Sequence, residues 1–94
     1  MREYELIYVL QPDLDETTVV ATIERVNELI KTNNGEIIKT ERWGKRRLAF
    51  PIRKLSEGFY VYSSFKLEPS ASLELKRSIK YVEQIIRFSI LLTK

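Results

Sequence analysis

The 94-residue sequence predicts an α+β sandwich in which a four-stranded antiparallel sheet carries two helices on one face. Three observations lead there. Stretches with apolar residues at every second position open and close the chain, a long strand-like stretch and a hairpin partner fill its middle, and two segments of helical periodicity separate them. The composition suits one folded domain over residues 1–94: 44% of residues are hydrophobic and 31% charged, with three Gly and three Pro, too apolar and too evenly patterned for disorder.

Tyr4, Leu6, Tyr8 and Leu10 recur at a period of two with Glu3 and Glu5 between them, which sets a first strand at residues 2–10. Pro12 and Asp13 break it. Asp15 caps the following helix with its carboxylate, and Leu14 stands where it can staple onto Val19. Val19, Ile23, Val26 and Ile30 form one apolar stripe, ended by Asn34-Gly35. Residues 36–52 read as an unusually long strand with a bulge at Gly44, and Pro51, which has no N–H to donate, assigns it to a sheet edge. In that strand Leu48, Phe50 and Ile52 share a face.

"RKLSEG" turns the chain, and residues 59–67 form the hairpin partner. Phe59, Val61, Phe65 and Leu67 lie on its core face, Tyr60, Tyr62, Ser64 and Lys66 on the other. Pro69 and Ser70 open a second helix with Leu75, Ile79 and Val82 on its apolar side, and residues 85–93 close the chain as a strand. The order β-α-β-β-α-β with two crossovers is the ferredoxin-like arrangement, which leaves one sheet face open. Val26, Ile30, Val61, Phe65, Ile79 and Ile90 are expected in one core.

The sequence holds no Cys and no His, so it lacks a thiolate, the usual general base near neutral pH and the commonest transition-metal ligand. No segment approaches the roughly 20 apolar residues of a membrane span. A cytoplasmic protein without cofactor, metal or small-molecule substrate is expected. The net charge of +3 is modest, but its distribution is uneven. Asp13, Asp15, Glu16, Glu24 and Glu28 load the first third with acid, whereas Arg42, Lys45, Arg46, Arg47, Arg53 and Lys54 form a block free of carboxylates. Such a block either protects a solvated edge strand from aggregation or forms a phosphate-contacting ridge, with the Gly44 bend aiming Lys45, Arg46 and Arg47 in different directions.

Two other readings of this fold fit poorly. Acylphosphatases bind phosphate in the loop after the first strand, but here that loop is "QPDLD", where Asp13 and Asp15 repel an anion and no arginine or glycine cradle is present. The RNA-recognition motif shares the element order, and "EGFYVYSSF" is faintly similar to its aromatic third strand. Its exposed aromatics would fall at Phe59 and Val61, on the face assigned to the core. Tyr60 and Tyr62, with Ile7 and Val9 beside them, instead make the open face a candidate protein-docking patch, to which Glu5 adds a charge for a basic partner.

"MREYE" at the start, "WGKRRLAFPIRK" in the middle and "IIRF" near the end resemble, in order and spacing, the bacterial small-subunit ribosomal protein six family. The resemblance implies the ferredoxin-like fold, no enzymatic activity, a place on the ribosome, and binding to the central domain of small-subunit ribosomal RNA as a heterodimer with ribosomal protein eighteen. Carried over by position, it implies RNA contact for Arg2, Tyr4, Lys45, Arg46, Arg47 and Arg87, with Glu5, Ile7, Tyr60 and Tyr62 left for the partner protein. Phe50 departs from the family's usual Tyr, and the chain ends at Lys94 where some relatives carry a tail, so tail contacts are not transferred. The alternative is a free-standing ferredoxin-like protein-interaction module.

Overall fold

A computed structural model describes residues 1–52 and 54–93; the Arg53 of the basic block and the terminal Lys94 lie outside the described residues. The elements follow the expected order: β1 (Arg2–Leu10), α1 (Glu16–Thr32), β2 (Glu36–Ile52), β3 (Leu55–Leu67), a 3₁₀ turn (Pro69–Ala71), α2 (Ser72–Lys80) and β4 (Ile85–Leu92). The strands form one antiparallel sheet in the order β2-β3-β1-β4, so β2 and β4 are its edges. Pro51 therefore sits on an edge strand, where its missing N–H leaves no ladder bond unmade.

Local chemistry accounts for the boundaries. The Asp15 carboxylate accepts the Thr18 backbone N–H at 2.8 Å and starts α1. At the other end Asn34 takes φ 64° and Gly35 donates its N–H to the Ile30 carbonyl at 2.8 Å, a left-handed close of the helix. The second helix has no side-chain cap. It begins instead from the 3₁₀ turn that Pro69 opens, three residues later than the sequence suggests. The β2–β3 turn is also tighter than "RKLSEG" implies, because Ile52 already pairs with Leu55 and Lys54 adopts φ 65°.

Alternation along β1 and β3 assigns the two faces. Tyr4, Leu6, Tyr8 and Leu10 meet Phe65, Ser63, Val61 and Phe59 on the helix side. There Val19, Val26 and Ile30 of α1 and Leu75 and Ile79 of α2 complete one buried cluster, with Ile23 and Ile90 packed at its margin. Thr22 shares the buried stripe of α1 because its hydroxyl donates to the Thr18 carbonyl at 2.7 Å and so is satisfied inside the helix. The β1–β3 pairing ends at Leu10–Phe59, while β2 and β3 continue beyond it as a two-stranded hairpin.

Candidate functional site

The projecting hairpin is built around one backbone irregularity. Pairing between β2 and β3 shifts between Arg42 and Gly44, where Gly44 takes φ 88°, a conformation that side chains with a Cβ rarely adopt. An earlier shift lies between Ile37 and Lys39, and from Thr40 to Arg42 the even-numbered residues of β2 face the helices. Past the bulge Gly44, Arg46 and Leu48 lie on the open face, and Lys45 and Arg47, opposite Phe59 and Glu57, lie on the helix side. The three adjacent cations are thus divided between both faces of one hairpin. None of them has an ion-pair partner among the described residues.

Arg42, the first cation of the block, is otherwise engaged. Its guanidinium donates to both carboxylate oxygens of Glu16 at 2.6 and 2.7 Å and lies over the Phe59 ring, 5.3 Å from the centroid. This two-pronged bond is the main reason the Glu16 carboxyl lies below its ordinary value and the Arg42 guanidinium above its own. It ties the root of the hairpin to the first turn of α1.

On the open face the residues stand in cross-strand rows. Arg87, Val9, Tyr60 and Gly44 make one row; Ser89, Ile7, Tyr62 and Glu41 make the next. Trp43 stacks on Tyr62 with ring centroids 5.3 Å apart and planes 4° from parallel, and Arg46 covers the indole at 5.2 Å. The Tyr62 hydroxyl donates to Glu5 Oε2 at 2.6 Å, and the Trp43 Nε1–H to Glu41 Oε1 at 3.0 Å. Donation to the Glu5 carboxylate is the main cause that lifts the Tyr62 phenol above its usual value. The Glu41 carboxyl is lowered, first by the Trp43 bond and then by Lys39. A shallow depression between β1, β3 and β4, lined by Ile7, Val9, Tyr60 and Arg87, borders this cluster. Gly58 keeps the hairpin close, since a Cβ there would collide with Val9 Cγ1, and Leu48 is buried beside it.

The arrangement offers cations without an ion-pair partner among the described residues, stacked aromatics and a hydrogen-bonded acid, the materials of a binding surface. Among the described residues no group of three or more His, Cys, Asp or Glu side chains could hold a metal.

The profile of the ribosomal protein S6 family matches residues 3–91. The chain belongs to the ribosomal protein S6 family. Relatives in this family include small ribosomal subunit protein bS6 of Desulforamulus reducens, 42% identical over 91 residues that span 97% of this chain and 96% of that one. The bS6 of Caldanaerobacter subterraneus is 45% identical over 93 residues, 99% and 98% of the two chains. The crystal structure of 30S ribosomal protein S6 from Thermotoga maritima superimposes with a TM-score of 0.91 at 30% identity, covering 97% of this chain and 86% of that chain.

Within this S6 fold the residues expected at the RNA are not all in one place. Lys45, Arg46 and Arg47 are exposed on the hairpin, and Arg87 is exposed on the open face near the same end of the sheet. Arg2 is exposed too, but it pairs with Leu67 while Lys45 pairs with Phe59, which at about 3.3 Å per strand residue separates them by roughly 25 Å. Tyr4 lies mostly in the core, its ring stacked on Phe65 and 7% exposed, apart from the exposed cations. Glu5, Ile7, Tyr60 and Tyr62 do share the open face. Trp43 was missed, because the bulge that turns it onto Tyr62 is a matter of pairing and not of residue type.

Proposed function

We propose that this protein is a structural, non-enzymatic constituent of the small ribosomal subunit that binds the central domain of small-subunit ribosomal RNA together with ribosomal protein eighteen. One observation carries the reading: the hairpin holds Lys45, Arg46 and Arg47 beyond the core, without an ion-pair partner among the described residues and divided between its two faces. Lys45 and Arg47 contact phosphates from the helix side, where guanidinium and ammonium groups position RNA without reading its sequence. Arg46, held over Trp43, borders the open face, on which Glu5, Ile7, Tyr60 and Tyr62 dock the partner protein. Arg87, on that same face beside the depression, and Arg2, at the far end of β1, complete the RNA contacts.

A few cations on one hairpin give a weak, sequence-indifferent contact, so a second protein has to supply further surface. Changing Lys45, Arg46 and Arg47 together to Ser should weaken RNA binding by the heterodimer and flatten its salt dependence, with unfolding stability nearly unchanged. Isothermal titration gives the decisive comparison. Tight RNA binding by this chain alone refutes the dependence on protein eighteen, and a triple variant with the parent's affinity and salt slope refutes the hairpin as the RNA contact.

A further inference from the structure

We infer that a second RNA-contacting surface lies at the other edge of the sheet, in the groove between α2 and β4, and that it takes a single-stranded segment of the RNA. The inference rests on the RNA-binding reading above. The groove is lined by Ile79, Lys80, Ile85, Ile86, Arg87 and Phe88, an apolar floor with the Lys80 cation on its helix side; Arg87 borders it from β4, although its pairing opposite Val9 turns its side chain to the open face. Because β4 is an edge strand, its outer backbone groups have no neighbouring strand to pair with.

The outer surface of α2 extends this charge. Lys76 and Lys80 are four residues apart, and Arg77 and Lys80 three apart, so the cations stand as neighbours on one short helix. Among the described residues only Arg77 meets an acid there, Glu74 at 3.8 Å. Placement near the helix C-terminus offsets part of the mutual repulsion through the helix dipole, but it does not account for Lys76. At the C-cap, directly after Lys80, Tyr81 is 83% exposed. Neither the core nor a hydrogen bond among the described residues uses this ring. Glu74 and Glu83 are the two acids close by in sequence, against the three cations of α2 and Arg87.

Cations beside an exposed aromatic and an apolar groove match what single-stranded nucleic acid requires: phosphates meet the charges, and bases stack on the ring or enter the groove. An acidic peptide would satisfy the charges but would leave Tyr81 and the groove floor without a planar partner. The strand order puts this surface on the opposite edge from the basic hairpin, so RNA reaches both while Glu5, Ile7, Tyr60 and Tyr62 on the open face stay free for a protein.

The test uses the heterodimer and a central-domain RNA fragment, with Kd measured against salt concentration. Replacing Lys76, Arg77 and Lys80 together by Ser is expected to lower affinity and to reduce the log–log salt slope by about 2, at roughly 0.7 per cation on a single strand. Tyr81→Ala is expected to weaken binding by about 5- to 150-fold, and Tyr81→Phe to keep most of it, since stacking needs the ring and not the hydroxyl. Thermal unfolding of each variant reports whether the fold is intact. If the hairpin variant loses RNA affinity while the α2 triple variant and Tyr81→Ala retain theirs, this inference falls and the hairpin reading stands. If none of the variants loses affinity, both fall. A loss confined to binding of the partner protein, measured without RNA, would make the groove a protein surface and overturn the inference as well.

Discussion

Removing Trp43 tests whether the open face is a preformed surface or a set of independent side chains. The indole lies between the Tyr62 ring and the Arg46 guanidinium, with centroid distances of 5.3 and 5.2 Å. A stacked aromatic pair contributes about 0.5–1.5 kcal/mol beyond its area, and an exposed cation over a ring about 0.5–1 kcal/mol. Trp43→Ala should therefore cost about 1–2.5 kcal/mol in urea unfolding, seen as a lower midpoint with an unchanged slope. The pairwise term is read from a cycle with Trp43→Ala, Tyr62→Ala and the double variant, in which the separate loss of the Tyr62–Glu5 bond cancels. A coupling of about 0.5–1.5 kcal/mol is expected. A coupling below about 0.3 kcal/mol, the scatter of independent sites, would refute the stack as a unit. The same Trp43→Ala variant should weaken partner binding, because an aromatic ordered before docking is the type of residue that carries interface energy.

Two further outcomes concern the fold. Ile30→Ala should cost about 2–5 kcal/mol in denaturant unfolding, towards the upper end because Ile30 is fully buried against the backbone turn at Gly35, which cannot move in to fill the space; a loss below about 0.5 kcal/mol would contradict this packing. On the acid side, the Asp15 and Glu16 carboxyls lie below their ordinary values of 3.8 and 4.5, chiefly through Thr18 and Arg42 respectively. Depressed carboxyls stabilise the fold above those ordinary values and lose that contribution as pH falls through the lower folded ones. The acid limb of a Tm–pH profile should become shallower in an Asp15→Asn, Glu16→Gln variant, and an unaltered limb would show that these bonds do not persist in solution.

The sequence by itself determined most of what depends on periodicity and on backbone chemistry. Alternation in β1 and β3 identified their faces, the Val19–Ile30 stripe set the register of α1, Asp15 and Asn34-Gly35 marked its ends, and Pro51 assigned β2 to an edge. These signals are local, and each residue carries its own physical reason. The family resemblance was legible for a related reason, since the order and spacing of "WGKRRLAFPIRK" survive without knowledge of any contact.

Only the tertiary structure decided which way the functional side chains point. A count of alternate positions along β2 reverses at Gly44, because the bulge inserts one residue and exchanges the two faces for everything that follows. The size of the insertion depends on pairing with β3, so the sequence could mark the bend without revealing that Arg46 joins Trp43 while Lys45 and Arg47 turn to the helix side. Tyr4 shows the same limit. Its alternation with Leu6 and Tyr8 was already the pattern of a buried face, yet its role at the RNA was inferred from position in a motif, and its packing on Phe65 assigned it to the core. The groove between α2 and β4 was hidden for the same cause in another form: Lys80 and Arg87 are seven residues apart in the chain, and only the packing of α2 beside β4 brings both residues to its lining.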